Sequence, residues 1–152
     1  MPSIPELLSP HEALDGLVYF PRMLSKIRLH AAGRLPEDYI EYLGDAPEFG
    51  GRVFDARCCR FLGVPYAALV ERTLQGGGDA EILSWAREHG VNPTDEQTAI
   101  WSAYAAKRGW RDDGSSLLKN RVLEAGLDPK TILTFFDHID QEEGRPLHQP
   151  LG

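Results

Sequence analysis

The stretch GLVYFPRMLSKIRLHAAGRL, Gly16 to Leu35, decides the fold. It predicts a helix over Pro21 to Ala32, since proline suits a first helical position and Gly33 a C-terminal stop. Met23, Leu24, Ile27 and Ala31 form its apolar stripe. Leu29 lies opposite, so the helix is expected to meet neighbours on two sides. The stretch has no acidic residue. Arg22, Lys26 and His30 fall four apart and make one ridge at the edge of the stripe. Like charges at that spacing repel, so an acidic group is expected opposite them, supplied by the chain itself or by a ligand.

Working outward, the same signals recur. Ser9-Pro10-His11-Glu12 has the form of a capping box opening a short helix. Pro36-Glu37-Asp38 places acids at the start of another short helix, and residues 44–51 read as loop. From Arg52 to Leu62, the residues Phe54, Cys58, Phe61 and Leu62 share a face. Gly63 stops that helix and Pro65 starts the next, through Tyr66, Leu69 and Val70. Asp79 caps a helix with Ile82, Leu83, Trp85 and Ala86 on one side, and Thr94 to Gln97 is a second capping box. That box leads into Ile100, Trp101, Tyr104 and Ala105. Asp112 or Asp113 caps a helix through Leu117, Leu118, Val122 and Ala125, which ends at Gly126-Leu127 in a Schellman pattern. Asp128-Pro129 opens the last helix, with Ile132, Leu133, Phe135, Phe136 and Ile139. No stretch alternates as a strand would. The expectation is one all-α domain over residues 1–152, about eight helices joined by short turns, with residues 1–8 and 144–152 as extended tails.

Composition bounds the function. The chain has 152 residues, 42% hydrophobic and 26% charged, as in ordinary globular proteins. A net charge of -7 argues against general affinity for nucleic acid or anionic membrane. No apolar run approaches a membrane span, and the N-terminus lacks the charged start and long apolar core of a signal peptide. Cys58 and Cys59 are adjacent and make neither a disulfide framework nor a metal knuckle. These features point to a cytoplasmic protein. There is no phosphate loop, dinucleotide fingerprint or nucleophile elbow, so no cofactor is expected.

The last helix carries the second informative feature. Asp140 falls inside its apolar arc and Asp137 on the flank, near a C-terminus whose dipole opposes negative charge. A carboxylate buried there needs a partner. Arg22 and Lys26 are the natural ones, and Arg108 is a further candidate. Pairing them ties the first long helix to the last. Glu142 and Glu143 are expected in solvent. Arg22, Lys26, His30, Asp137 and Asp140 thus form the candidate polar or anion-binding site. His138 with Asp137, Asp140, Glu142 and Glu143 has the composition of a metal cluster, but His138 and Asp140 diverge on the wheel, so no metal is expected.

The strings GLVYFPRMLSKIRLHAAG, RFLGV, ILSWAREHG, KRGW and TFFDHIDQEEGR, in this order, resemble the bacterial family called domain of unknown function 5069, from about Leu14 to Arg145. The resemblance implies a small cytoplasmic bacterial protein and brings no reaction, cofactor or catalytic residue with it. Two functional classes follow from the residues. One is a non-catalytic interaction or regulatory protein, presenting helical surface to a protein partner or to itself. This class is favoured because no catalytic set is recognisable. The alternative is a small anionic-ligand-binding protein or enzyme, with a polar site between the first long helix and the last. A deep polar pocket joining those helices favours the second class; a closed salt bridge favours the first.

Overall fold

The basic stretch forms the helix α1, Phe20–Ala31, in a computed structural model that describes residues 4–148. Every residue from Phe20 to Ile27 is buried, Arg22 and Lys26 included. On one side Phe20, Met23, Leu24 and Ile27 join Cys58, Leu62, Leu69, Ile82, Leu83 and Phe136 in the main apolar cluster. On the other side Leu29 meets Leu7, Leu35 and Tyr39. Each fully buried side chain of this size contributes roughly 1.5–3 kcal/mol, so burial on two faces makes α1 the axis of the molecule.

The other helices follow along the chain. They are α2 (Phe54–Leu62), α3 (Tyr66–Leu74), α4 (Asp79–His89), α5 (Asp95–Lys107), α6 (Ser115–Glu124) and α7 (Phe135–Glu142). Two 3-10 helices, Glu37–Tyr42 and Pro47–Phe49, cross the loop between α1 and α2. The fold is largely all-α. Among the described residues its only sheet is a short antiparallel hairpin, β1 (Ala13–Leu14) against β2 (Leu17–Val18), with Ala13 opposite Val18. Residues 1–3 and 149–152 of the expected tails lie outside the described residues.

The hairpin stands where a short helix was expected. Asp15 and Gly16 both adopt left-handed backbone, φ 49° and 80°. That is what a two-residue Asp-Gly hairpin loop needs. Ser9 accepts from the His11 amide and donates to Asp140, so its hydroxyl serves a turn and a long-range bond instead of a helix start. Leu7 is fully buried rather than lying on the surface. The Thr94–Gln97 capping box and the Gly126-Leu127 ending form as expected.

Three helix readings shift. α7 starts at Phe135, capped by Thr134 Oγ1 accepting from the Asp137 amide. Asp128 instead closes a single turn, its carbonyl accepting from Ile132. Asp112 accepts from the amides of Gly109 and Gly114 and shapes the loop ahead of α6. On α5 the buried side is Thr98, Ser102 and Ala105, while Ile100 and Tyr104 are exposed. Leu117 and Leu133 are exposed as well. The small residues of α5 allow close approach to the hairpin: Ser102 Oγ donates to the Gly16 carbonyl at 2.6 Å and accepts from the Val18 amide at 3.1 Å. Two hydrogen bonds from one hydroxyl outweigh the apolar face that periodicity selects.

Candidate functional site

The basic ridge of α1 finds its acids inside the protein. Arg22 forms a two-pronged ion pair with Glu143, both N–O distances 2.8 Å. Tyr39 donates to the same carboxylate at 2.9 Å, and Arg145 at 2.7 Å. Burial alone would raise the Glu143 carboxyl, but the hydrogen bonds and charge of Arg22 and the bonds from Arg145 and Tyr39 hold it below the ordinary glutamate range. Burial likewise works against the Arg22 guanidinium, and Glu143 more than offsets it.

One turn further on, Lys26 Nζ lies 2.9 Å from Asp55 Oδ1 and 3.2 Å from the Tyr19 hydroxyl, which donates to Asp55 at 2.6 Å. Asp55 Oδ2 accepts from the Gly44 amide. Asp55 is wholly buried, and Lys26 and Tyr19 are only 3% exposed. Burial pushes the Lys26 amine below the ordinary lysine value, with Arg22 adding to the effect and Asp55 opposing it. Burial and Asp55 push the Tyr19 phenol well up. Tyr19 sits immediately ahead of α1 at φ 72°, ψ -29°, a left-handed conformation costing a non-glycine residue about 1–3 kcal/mol. Its amide N–H donates to the Pro10 carbonyl, and its ring packs against Phe54 and Phe136, which hold it there.

Tyr19, Arg22, Lys26, Tyr39 and Glu143 line the floor of a cavity of about 720 Å³ between α1, α2, α6 and α7, with Asp55 behind Lys26 and Tyr19. Its walls are aromatic and aliphatic: Tyr42, Phe49, Phe54, Phe135, Leu117 and Ile139. Its rim carries Arg52, Arg57, Arg108 and Arg121. Arg108 is paired with Asp112 and Asp113. Arg57 donates to the Arg52 carbonyl and the Tyr104 hydroxyl, and Arg121 lies over the rings of Tyr42 and Phe135 at 5.8 and 6.0 Å. Neither Arg57 nor Arg121 has a carboxylate partner among the described residues. His138 also lines the cavity; Glu142 takes its Nε2, and its buried Nδ1 has no partner.

The structure divides the residues singled out from sequence. Arg22 and Lys26 are in the floor of the cavity. His30 is exposed and does not line it. Asp140 is buried as expected, but its partners are Arg145 at 3.1 Å and Ser9 at 3.0 Å, not Arg22 or Lys26. Asp137 lies 3.1 Å from His11 Nε2, outside the cavity. Glu143, expected in solvent, is the acid that joins the first long helix to the last, because α7 keeps its helical turn through Glu142 and carries Glu143 onto the Phe136–Asp140 side. Arg108 pairs locally and touches neither aspartate of α7. Cys59 is buried, and its thiol is pushed up to about 12 by burial and by Asp55. Cys58 is buried, and burial raises its thiol well above the ordinary range.

Tyr19, Asp55, Arg57 and Arg121 were not singled out from sequence, and Glu143 was placed in solvent. Asp55 was legible: with Cys58, Cys59 and Leu62 it falls at spacings of three, four and seven, an acid on an otherwise apolar stripe.

The sequence matches the family described as Domain of unknown function (DUF5069) over residues 4–145. The chain belongs to this family. No curated protein and no solved structure matches it. Among the described residues, no helix of this family member is long and apolar enough to cross a membrane.

Proposed function

We propose that this DUF5069 protein binds a small anionic compound with an apolar or aromatic body in the cavity beneath α1. The observation that carries the reading is the placement of Arg57 and Arg121, uncommitted to any carboxylate among the described residues, on the rim of an aromatic cavity in a chain of net charge -7. A protein short of positive charge has concentrated it where a ligand would meet it. The volume lies within the ~300–1,000 Å³ usual for small-ligand clefts, with apolar walls and a few polar groups. A more open cleft of about 440 Å³, lined by Tyr104, Lys107 and Trp110, adjoins it across Arg57 and Arg108. Closed ion pairs and an open cavity coexist here: the pairs form the floor, and on the rim Arg57 and Arg121 have no carboxylate partner among the described residues. The interaction-protein reading has less support, since exposed apolar side chains such as Leu74, Val91, Ile100 and Leu123 are spread over different elements. Two free, buried cysteines support a cytoplasmic setting.

A thermal-shift series of carboxylated and phosphorylated aromatic compounds tests the reading. Ligand at a hundred times its Kd stabilises the folded chain by about 2.7 kcal/mol, a rise in Tm of about 5–10 °C. Arg57→Ala and Arg121→Ala should each reduce the shift while leaving the circular dichroism spectrum unchanged. A ligand whose shift survives both substitutions together is bound elsewhere and refutes this location.

A further inference from the structure

We propose that Lys26 is a nucleophilic amine that condenses with the carbonyl group of an anionic compound bound in the cavity, forming an imine. This rests on the reading of the cavity as an anionic-ligand site and adds the chemistry of its floor. The chain has twelve arginines and four lysines. Lys107, Lys119 and Lys130 are exposed, and Lys26 alone is buried. Where the chain needs a buried ion pair, at Arg22–Glu143, it uses a two-pronged arginine. At position 26 it places the weaker pairing group, with one contact to Asp55 Oδ1. Lysine differs from arginine there in being able to give up its proton and become a nucleophile.

The surroundings favour that loss. The groups facing Lys26 are Arg22 and Tyr19 from α1 and its entry, Asp55 from α2, and Glu143 from α7. Desolvation and a neighbouring cation are the two devices that make a lysine nucleophilic at neutral pH, and both are present. Tyr19 is held in a strained backbone conformation, and its hydroxyl contacts both members of the Lys26–Asp55 pair. Strain of this kind clusters at functional sites.

The step balances with the groups present. The Lys26 ammonium passes one proton to Asp55, and the free amine attacks the carbonyl carbon. The C–N bond forms as the C=O π pair moves to oxygen. A proton then moves from nitrogen to that oxygen, giving a carbinolamine. Asp55 returns its proton, directly or through Tyr19, to the hydroxyl, which leaves as water while the nitrogen lone pair closes the C=N bond. The products are a protonated imine, water and an ionised Asp55. Rim arginines hold the carboxylate or phosphate of the compound throughout.

The test uses the full chain with phenylpyruvate, an aromatic 2-oxo acid, followed by borohydride reduction and peptide mass mapping. Phenyllactate, which lacks the ketone, serves as the non-reacting analogue. The reduced adduct should concentrate on Lys26 and exceed that on each of Lys107, Lys119 and Lys130, since the bound anion delivers its carbonyl there and burial lowers the amine. Labelling of Lys26 should also level off at lower pH than that of the three exposed lysines, and excess phenyllactate should suppress it. Lys26→Arg, checked by circular dichroism, should lose this adduct and keep the others. Adducts confined to the exposed lysines overturn the proposal. If phenyllactate still raises Tm in that case, the anion site stands and only the imine chemistry fails. If neither acid raises Tm and Lys26 is unlabelled, both readings fail.

Discussion

Glu143→Gln is the sharpest perturbation of the link between the first long helix and the last. The substitution keeps shape and removes charge. Glu143 is 4% exposed and accepts from Arg22, Tyr39 and Arg145. Without its charge, Arg22 remains as a buried guanidinium, 3% exposed, with the Leu8 carbonyl as its other acceptor. Breaking one side of a buried pair costs about 3–5 kcal/mol. For a chain of this size, 1 kcal/mol moves Tm by about 2–4 °C, so a fall of about 10 °C is expected. Asp113→Asn supplies the contrast. Its side chain is 89% exposed, and removing its pairing with Arg108 should cost at most about 1 kcal/mol. The double replacement Arg22→Met with Glu143→Leu should recover much of the loss, because neither partner is then left charged and alone. The pH dependence has a definite sign. The Glu143 carboxyl is lowered from the ordinary 4.5, so its contribution is fully present above about that pH. It is lost as pH falls through the lower folded value. Chemical denaturation of the single variant within about 1 kcal/mol of wild type at pH 7 would refute the reasoning.

Other outcomes follow from the same geometry. Ser102→Ala should cost about 1–3 kcal/mol by denaturant titration, because it leaves the Val18 amide and the Gly16 carbonyl without their shared hydroxyl. Gly90→Ala should be worse than Gly33→Ala by thermal melting: a Cβ at 90 collides with the Leu62 carbonyl, whereas at 33 it meets open space and only the positive φ opposes it. Cys58 and Cys59 should react with a thiol reagent at pH 8 only as fast as the chain opens, and at once in denaturant, since both thiols are buried and raised.

How far this architecture can be read from sequence depends on which physical signal dominates each element. α1 is legible because its proline start, glycine stop and 3.6-residue apolar period agree. Burial of Leu29 opposite the main stripe follows from the same wheel. The hairpin escapes that reading because two-residue strands are too short to show alternation, and its decisive signal is the Asp15-Gly16 turn. α5 misleads because its buried side is chosen by the Ser102 hydroxyl and small side chains, leaving Ile100 outside. The candidate site divides in the same way. Periodicity marks Arg22, Lys26 and Asp140 as charges needing partners, but it cannot match them across the chain. Arg145 takes Asp140 because it reaches back over the end of α7, also bridging Glu143 and donating to the Leu7 carbonyl. That contact requires the chain after α7 to fold onto the N-terminal segment, a tertiary event with no local signature.

The floor of the cavity is an expensive way to hold helices together. Replacing a buried ion pair by well-packed apolar side chains is often neutral or stabilising by about 1–4 kcal/mol. Here two such pairs lie one turn apart on α1, so Arg22 and Lys26 also repel each other. Tyr19 adds a left-handed backbone beside them. Three unfavourable choices converge on one wall of one cavity, while the rest of α1 is closed by Phe20, Met23, Leu24 and Ile27 in ordinary apolar packing. If stability were the only demand, the ridge would be built like the stripe. The concentration of cost at the cavity, with uncommitted arginines on its rim, is what a preorganised ligand site requires: charges desolvated and fixed in advance of the ligand rather than ordered by it. A variant with Arg22→Met and Glu143→Leu should therefore separate the two roles. It should keep most of the wild-type stability, yet bind aromatic anions more weakly, because the floor has lost the cation beside Lys26. Equal anion binding by that variant, measured by calorimetry, would show the Arg22 pair to be structural only.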